Sequence, residues 1–286
     1  MHGVRTMKSA VDMSDIRPAA VAGTWYSADA GELAGEVDEY LDAASTTPPV
    51  AGLVALIAPH AGLMYSGPVA GHAYRQLRDR HVETVVVVGP SHFVTFDGVA
   101  LWAHGAFESP LGAAKVDEAF AAELLAASPI VLEDTRPHRR EHSLEMQLPF
   151  LRRVAPEARI VPLLVGHQTD ATARELGKAL GDIARGKTAL LIASTDLSHY
   201  EDATTAHRLD GVVLEHVRQF DPDGLQSSLQ KYPHHACGGG AAVAVMRAAQ
   251  ALGATRSAVL RYGDSGDVSG DKSSVVGYMA AALSSL

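Results

Sequence analysis

Three turns in this chain each present a histidine just after an apolar run: Pro59-His60-Ala61-Gly62, Gly89-Pro90-Ser91-His92 and Ser194-Thr195-Asp196-Leu197-Ser198-His199. A fourth segment, His234-His235-Ala236-Cys237-Gly238-Gly239-Gly240, holds the single cysteine. Imidazole and thiolate bind divalent transition metals, and imidazole also moves protons near neutral pH. A lone loop histidine is ordinarily just solvated, and most of the fourteen histidines are surface or structural. Three at equivalent positions favour one shared site. The spacing is too wide for a finger-type metal site, so the fold must assemble it. Cys237 precedes three glycines and a helical pattern. That places the thiol at a helix N-terminus, where free amides and the dipole lower its pKa; the default for a free Cys is a small buried hydrophobe. Ser91 and Ser198 neighbour histidines, but neither sits in a G-x-S-x-G elbow, which argues against a serine hydrolase.

The elements that must position these residues alternate. Apolar runs at 53–58, 84–88, 159–165 and 188–193 have strand length and suit strands buried on both faces. Helical patterns fall at about 29–44, 68–79, 115–127, 143–154, 171–184, 205–219 and 240–252, with late strands expected at 256–262 and 274–283. Such alternation predicts an α/β fold, a single domain with a mostly parallel central sheet flanked by helices. Ligands bind beyond the carboxyl ends of the strands in such sheets, where the histidine turns lie. Residues 1–15 read as a flexible leader before a domain spanning 16–286, and Met7 or Met13 is an alternative start.

Composition narrows the partners. The chain has 286 residues, 47% hydrophobic and 20% charged, with a formal net charge of −9. An acidic chain without a basic block is not built for nucleic acid. No apolar run is long enough to span a membrane, and no apolar signal region opens the chain, so a cytoplasmic location is expected.

At the level of ordered motifs the chain resembles the MEMO family, including its prokaryotic branch, AmmeMemoRadiSam system protein B. The resemblance rests on Arg17-Pro18, Ala22-Gly23-Thr24-Trp25-Tyr26, Ala58-Pro59-His60-Ala61-Gly62, Gly89-Pro90-Ser91-His92 and Glu141-His142-Ser143-Leu144-Glu145-Met146-Gln147-Leu148-Pro149-Phe150. It continues through Ser194-Thr195-Asp196-Leu197-Ser198-His199, Cys237-Gly238, Tyr262-Gly263-Asp264-Ser265-Gly266-Asp267 and Val275-Val276-Gly277-Tyr278. The family looks like LigB-type class III extradiol dioxygenases in fold. The resemblance implies a metal held by His60, His92 and Cys237, with His199 as acid/base and Asp196 as its pocket companion. It places Fe(II) first, while a thiolate ligand also suits copper or zinc. The chain departs from the pattern at Phe93, where some relatives carry a second histidine, and at Gly238-Gly239-Gly240-Ala241, which lacks a proline common after the cysteine.

Around this centre, Asp196 is expected to orient His199 or a ligand imidazole, or to cap the next helix. Trp25 and Tyr65 are expected to form an aromatic wall for substrate, with core packing the default for Trp25. His142 and Glu145, spaced i, i+3, are expected on one helix face, with His142 at the pocket rim or as a cap. Of His234 and His235, at most one can face the site. Three functions follow: an iron-dependent, dioxygenase-like oxidoreductase acting on a small-molecule or anionic ligand; a non-catalytic adaptor binding metal, anions or phosphopeptides; and a hydrolase using zinc-bound water. The resemblance also implies AMMECR-type and radical-SAM proteins as pathway partners.

Overall fold

The computed structural model describes residues 16–286, so the expected leader lies outside the described residues. Strand β1 (Ile16–Arg17) and helix α1 (Ala30–Ala43) precede β2 (Leu53–Ala58) and α2 (Leu63–Tyr74). There follow β3 (Thr84–Pro90), β4 (Val99–Leu101), β5 (Ala106–Phe107), β6 (Ala114–Lys115), α3 (Glu118–Ala127), β7 (Val131–Glu133), α4 (Leu148–Val154) and β8 (Arg159–Val165). The chain continues with α5 (Asp170–Ala184), β9 (Ala189–Ser194), β10 (His199–Glu201), α6 (Ala203–Arg218), α7 (Pro222–Lys231), α8 (Gly239–Ala251), β11 (Arg256–Asp264), α9 (Gly266–Ser269) and β12 (Val275–Ser284).

The main sheet runs β10-β12-β2-β9-β3-β8-β4-β7, with β11 also paired to β12. Its centre, β2-β9-β3-β8, is parallel throughout, and antiparallel pairings flank it on both sides. Side chains alternate between two cores. Ile57, Val86, Val88 and Leu191 pack on one face with α5 and α8, and Leu56, Val85, Val87 and Ile192 pack on the other with α1, α2 and α4. This is the helix-flanked α/β layer arrangement expected from the alternating pattern.

The differences from expectation have local causes. The α2 helix begins at Leu63 rather than 68, because the Leu63 amide finds an acceptor in the Trp25 carbonyl, 2.9 Å away. Pro68 therefore lies inside the helix instead of opening it. Helix α3 starts at Glu118, where the Asp117 side chain accepts from the Phe120 amide. Helix α7 was not expected; it carries an Asp221 cap and Pro222 in its first turn, a start signal within a polar stretch. The expected helix at 143–154 is a 3-10 turn at 145–147 followed by α4. Its first residues are diverted because the Glu141 carboxylate accepts the His142 and Ser143 amides, each at 2.9 Å.

One buried group ties the fold to pH. His138 is fully buried, and burial lowers its pKa from 6.5 to about 3. Its Nε2–H donates to the Ala100 carbonyl at 3.1 Å. Between these two pKa values the unfolded chain binds a proton that the folded chain refuses, so stability falls as pH drops below 6.5. His138 is expected to contribute up to about 1.4 kcal/mol per pH unit in that window. Urea midpoints at pH 7 and pH 5 should show a shallower acid loss in His138→Gln than in the wild type, and identical slopes would refute the assignment.

Candidate metal centre

The order of the sheet explains why distant residues meet. Strands β2, β9 and β3 are neighbours, and their carboxyl ends lead into His60, Asp196 and His92. Cys237 arrives just ahead of α8. Its amide donates to the Asp196 carbonyl at 3.3 Å, and the Gly238 amide donates to Thr195 Oγ1 at 2.9 Å. Glycine is required at 238: a Cβ there would stand 2.3 Å from the Ser194 carbonyl oxygen. The result is a cavity of about 640 Å³ lined by Trp25, His60, His92, His142, Asp196, His199 and Cys237, among others.

His60, His92 and Cys237 each offer one ligand atom, and these atoms lie within 4.8 Å of one another. Cys237 Sγ is 3.2 Å from His60 Nε2. That matches the edge expected between nitrogen and sulfur bound at roughly 2.0–2.3 Å to one ion.

The hydrogen bonds fix which nitrogen is free. Ser194 Oγ donates its only proton to the Ser143 carbonyl at 2.6 Å and accepts from Gln147 Nε2 at 2.9 Å. It can therefore only accept from His60 Nδ1, 2.8 Å away, so the His60 proton sits on Nδ1 and Nε2 keeps its lone pair. Glu141 does the same for His92. Its Oε1 is 2.9 Å from His92 Nδ1, and its Oε2 accepts the His92 amide at 2.6 Å. Burial alone would raise the Glu141 pKa; the hydrogen bonds and charges of His92 outweigh it and hold the carboxyl at about 2. An ionised Glu141 makes His92 Nδ1 the donor. Both imidazoles thus present Nε2, the pre-set tautomer of metal-ligating histidines. Burial lowers His60 to about 3 and His142 to about 4, with neighbouring imidazoles adding to both, so these two rings are neutral, as His60 must be to act as a ligand. The three residues fit a divalent ion.

The thiol corrects an expectation. Helix α8 begins at Gly239, and Cys237 lies before its Gly238 cap. Burial, then the Asp196 carboxylate, push the thiol pKa up rather than down. Desolvation of a thiolate here costs more than a helix end returns. A bound cation would reverse this, since it deprotonates a coordinating thiol.

The remaining candidates fall as follows. Asp196 Oδ1 accepts the His60 amide at 2.7 Å, and burial raises its pKa. Its Oδ2 also stands 4.0 Å from His60 Nε2, its amide donates to Cys237 Sγ at 3.3 Å, and the cap of α6 is Asp202 instead. His199 lines the cavity, and its Nδ1–H donates to the Leu197 carbonyl at 2.8 Å, leaving Nε2 as the basic nitrogen. His142 lies 4.6 Å from the His92 ring, nearly parallel at 15°, and Trp25 packs on it at 4.3 Å. Trp25 is at the cavity and 37% exposed, not in the core. Tyr65 is not among the lining residues; it lies in α2 and packs against the core. Glu145 does not share a face with His142. It is buried, and it binds Arg17 Nη1 at 2.6 Å, the Tyr26 hydroxyl at 2.7 Å and the Ala20 and Val21 amides. His234 lines the cavity, whereas His235 stacks on Tyr232. His92, Glu141 and His142 also cluster: Glu141 Oε1 hydrogen-bonds His92 Nδ1 at 2.9 Å and lies 3.5 Å from His142 Nδ1, an electrostatic contact.

Sequence reasoning missed Glu141 and Ser194 as partners of the two ligand imidazoles. Glu141 stands next to a charged run, which hid its burial. Glu141→Gln is expected to weaken metal binding about 10–100-fold. An amide can donate to Nδ1 and so no longer fixes the tautomer. Competition with a chelator measures this, and an unchanged affinity would refute the role.

Comparison with known proteins agrees with the motifs. The family profile described as Memo-like protein matches residues 17–282. A MEMO1 family protein of Methanopyrus kandleri is 39% identical over 281 residues, covering 92% of this chain and 97% of that one. Another, from Ignicoccus hospitalis, is 39% identical over 282 residues, covering 93% and 97%. The crystal structure of an uncharacterized protein from Escherichia coli K12 superposes with a TM-score of 0.55 at 17% identity, over 79% of this chain and 99% of that one, which speaks to fold alone. With one profile spanning its described domain and relatives matched along nearly their whole length, this chain belongs to the Memo-like family.

Proposed function

We propose that the chain is a metal-dependent oxidoreductase whose ion is held by His60 Nε2, His92 Nε2 and Cys237 Sγ. The observation that carries this is the pair of protonated Nδ1 atoms, which leaves two Nε2 lone pairs beside the thiol in an open cavity. Fe(II) bound there would supply a Lewis-acidic redox centre with positions free for O2 and a substrate oxygen. Copper and zinc fit the same donors.

His199 is the acid/base. Its Nε2 takes a proton from a substrate hydroxyl, while the Leu197 carbonyl holds the ring. Asp196 positions the turn that carries His60. His142 stacks on the His92 ring and Trp25 packs on His142, which together brace the imidazole. The substrate is a small molecule with a metal-binding oxygen. Among the described residues no Lys or Arg lines the cavity, so phosphate recognition in a purely adaptor role would rest on the metal and the lining imidazoles. Pathway partners of the AMMECR and radical-SAM types remain part of the proposal on resemblance, as does a cytoplasmic location. No helix among the described residues is long and apolar enough to cross a membrane.

The test is anaerobic purification, metal analysis and O2 consumption with catechol-like and thiol substrates. His199→Ala is expected to keep the metal and lose turnover. Full turnover in that variant would remove His199 from the chemistry, and a loaded wild type that consumes no O2 with any of these substrates would favour the binding-protein reading.

A further inference from the structure

Three consecutive residues, His199, Tyr200 and Glu201, all line the cavity. A regular strand cannot do this, because successive side chains point to opposite faces. The reason lies in the pairing of β10 with β12. His199 pairs with Val276 and Glu201 with Val275, so Tyr200 is an extra residue bulged out of the ladder. Tyr200 also has φ +65°, the left-handed region that a tyrosine rarely adopts. Bulges of this kind re-aim side chains next to binding sites, and residues held in such strain cluster there. Tyr200 is 79% exposed, so no buried packing explains its position.

The bulge puts two chemistries on the cavity rim. One is aromatic: the exposed Tyr200 ring, in a cavity that Trp25 also lines from another segment. The other is anionic: Glu201 is the exposed carboxylate of the lining, and no Lys or Arg among the described residues balances it there. An exposed aromatic ring beside a carboxylate with no cationic side chain to balance it attracts an organic cation, through the ring quadrupole and through charge. They disfavour a carboxylate or phosphate at the same place.

We propose that Tyr200 and Glu201 are specificity-determining residues that select a ligand bearing an ammonium group, its cationic end at the rim and an oxygen toward His60, His92 and Cys237. This rests on the cavity being the binding site proposed above and adds the substrate class to it.

The test uses two catechols of similar size and opposite charge, dopamine and 3,4-dihydroxyphenylacetate. Their binding to the zinc-loaded full chain is measured by calorimetry, zinc being redox-inert. Dopamine is expected to bind at least about tenfold more tightly, and Glu201→Gln to remove most of that preference. Tyr200→Gly is expected to raise the melting temperature, since glycine accepts the positive φ, while weakening dopamine severalfold. Equal or reversed affinity, an unchanged preference in Glu201→Gln, or zinc bound with neither catechol binding would overturn the proposal. The same comparison on the metal-free chain separates the two readings. Failure of zinc to bind sinks the metal centre, whereas the rim is judged there by whether the ammonium preference persists.

Discussion

Cys237→Ser is expected to lower metal affinity by more than the roughly 100-fold that loss of a ligand's hydrogen-bond partner costs. A serine hydroxyl is a harder donor and far harder to deprotonate than a thiol. The geometry around it is set by the backbone, through the Cys237 amide on Asp196 and the Gly238 amide on Thr195, so the fold should persist. His60→Ala and His92→Ala should behave alike, each leaving two donors. Metal content and chelator competition read the affinity, and circular dichroism reads the fold. A second readout is thermal: an ion at 100 times its Kd stabilises the native chain by about 2.7 kcal/mol. Adding zinc should raise the melting temperature of the wild type but not of these variants. Full occupancy in all three would end the case for this centre.

Glu145→Ala is expected to be the most destabilising single change outside the centre. Glu145 is wholly buried and satisfies the buried Arg17 guanidinium, the Tyr26 hydroxyl and the Ala20 and Val21 amides. Arg17 in turn donates to the His138 carbonyl at 2.7 Å and to the Glu141 carbonyl, so one ion pair ties the segment bearing Trp25 to the segment bearing Glu141 and His142. Removing one partner of a buried pair leaves a bare charge and costs about 3–5 kcal/mol, a large share of an ordinary stability of about 5–15 kcal/mol. The double variant Arg17→Met/Glu145→Gln should recover part of the loss, because the uncompensated charge is gone. Urea denaturation gives the comparison. A Glu145→Ala midpoint equal to wild type would contradict the assignment, as would losses that simply add.

The sequence by itself determined the scaffold of the site. Apolar runs gave Leu53–Ala58 and Arg159–Val165 at their observed bounds, because burial on both faces marks nearly every residue past the strand start. The positions of His60, His92, Asp196 and Cys237 followed from strand ends and motifs, and the cavity contains all four. Short pairings such as β5 with β6 left no mark, since two residues show no period. Tertiary structure alone decided the rest. Glu141 reads as one charge among several near Arg136–Arg140, and only the fold buries it against His92. Ser194 reads as a strand end, and only Ser143 and Gln147 make it an acceptor for His60. Cys237 reads as an activated thiol, and only its burial beside Asp196 raises its pKa. Periodicity is a local property of the chain. Desolvation and hydrogen-bond partnership depend on atoms far away in sequence, and those the fold alone brings within reach.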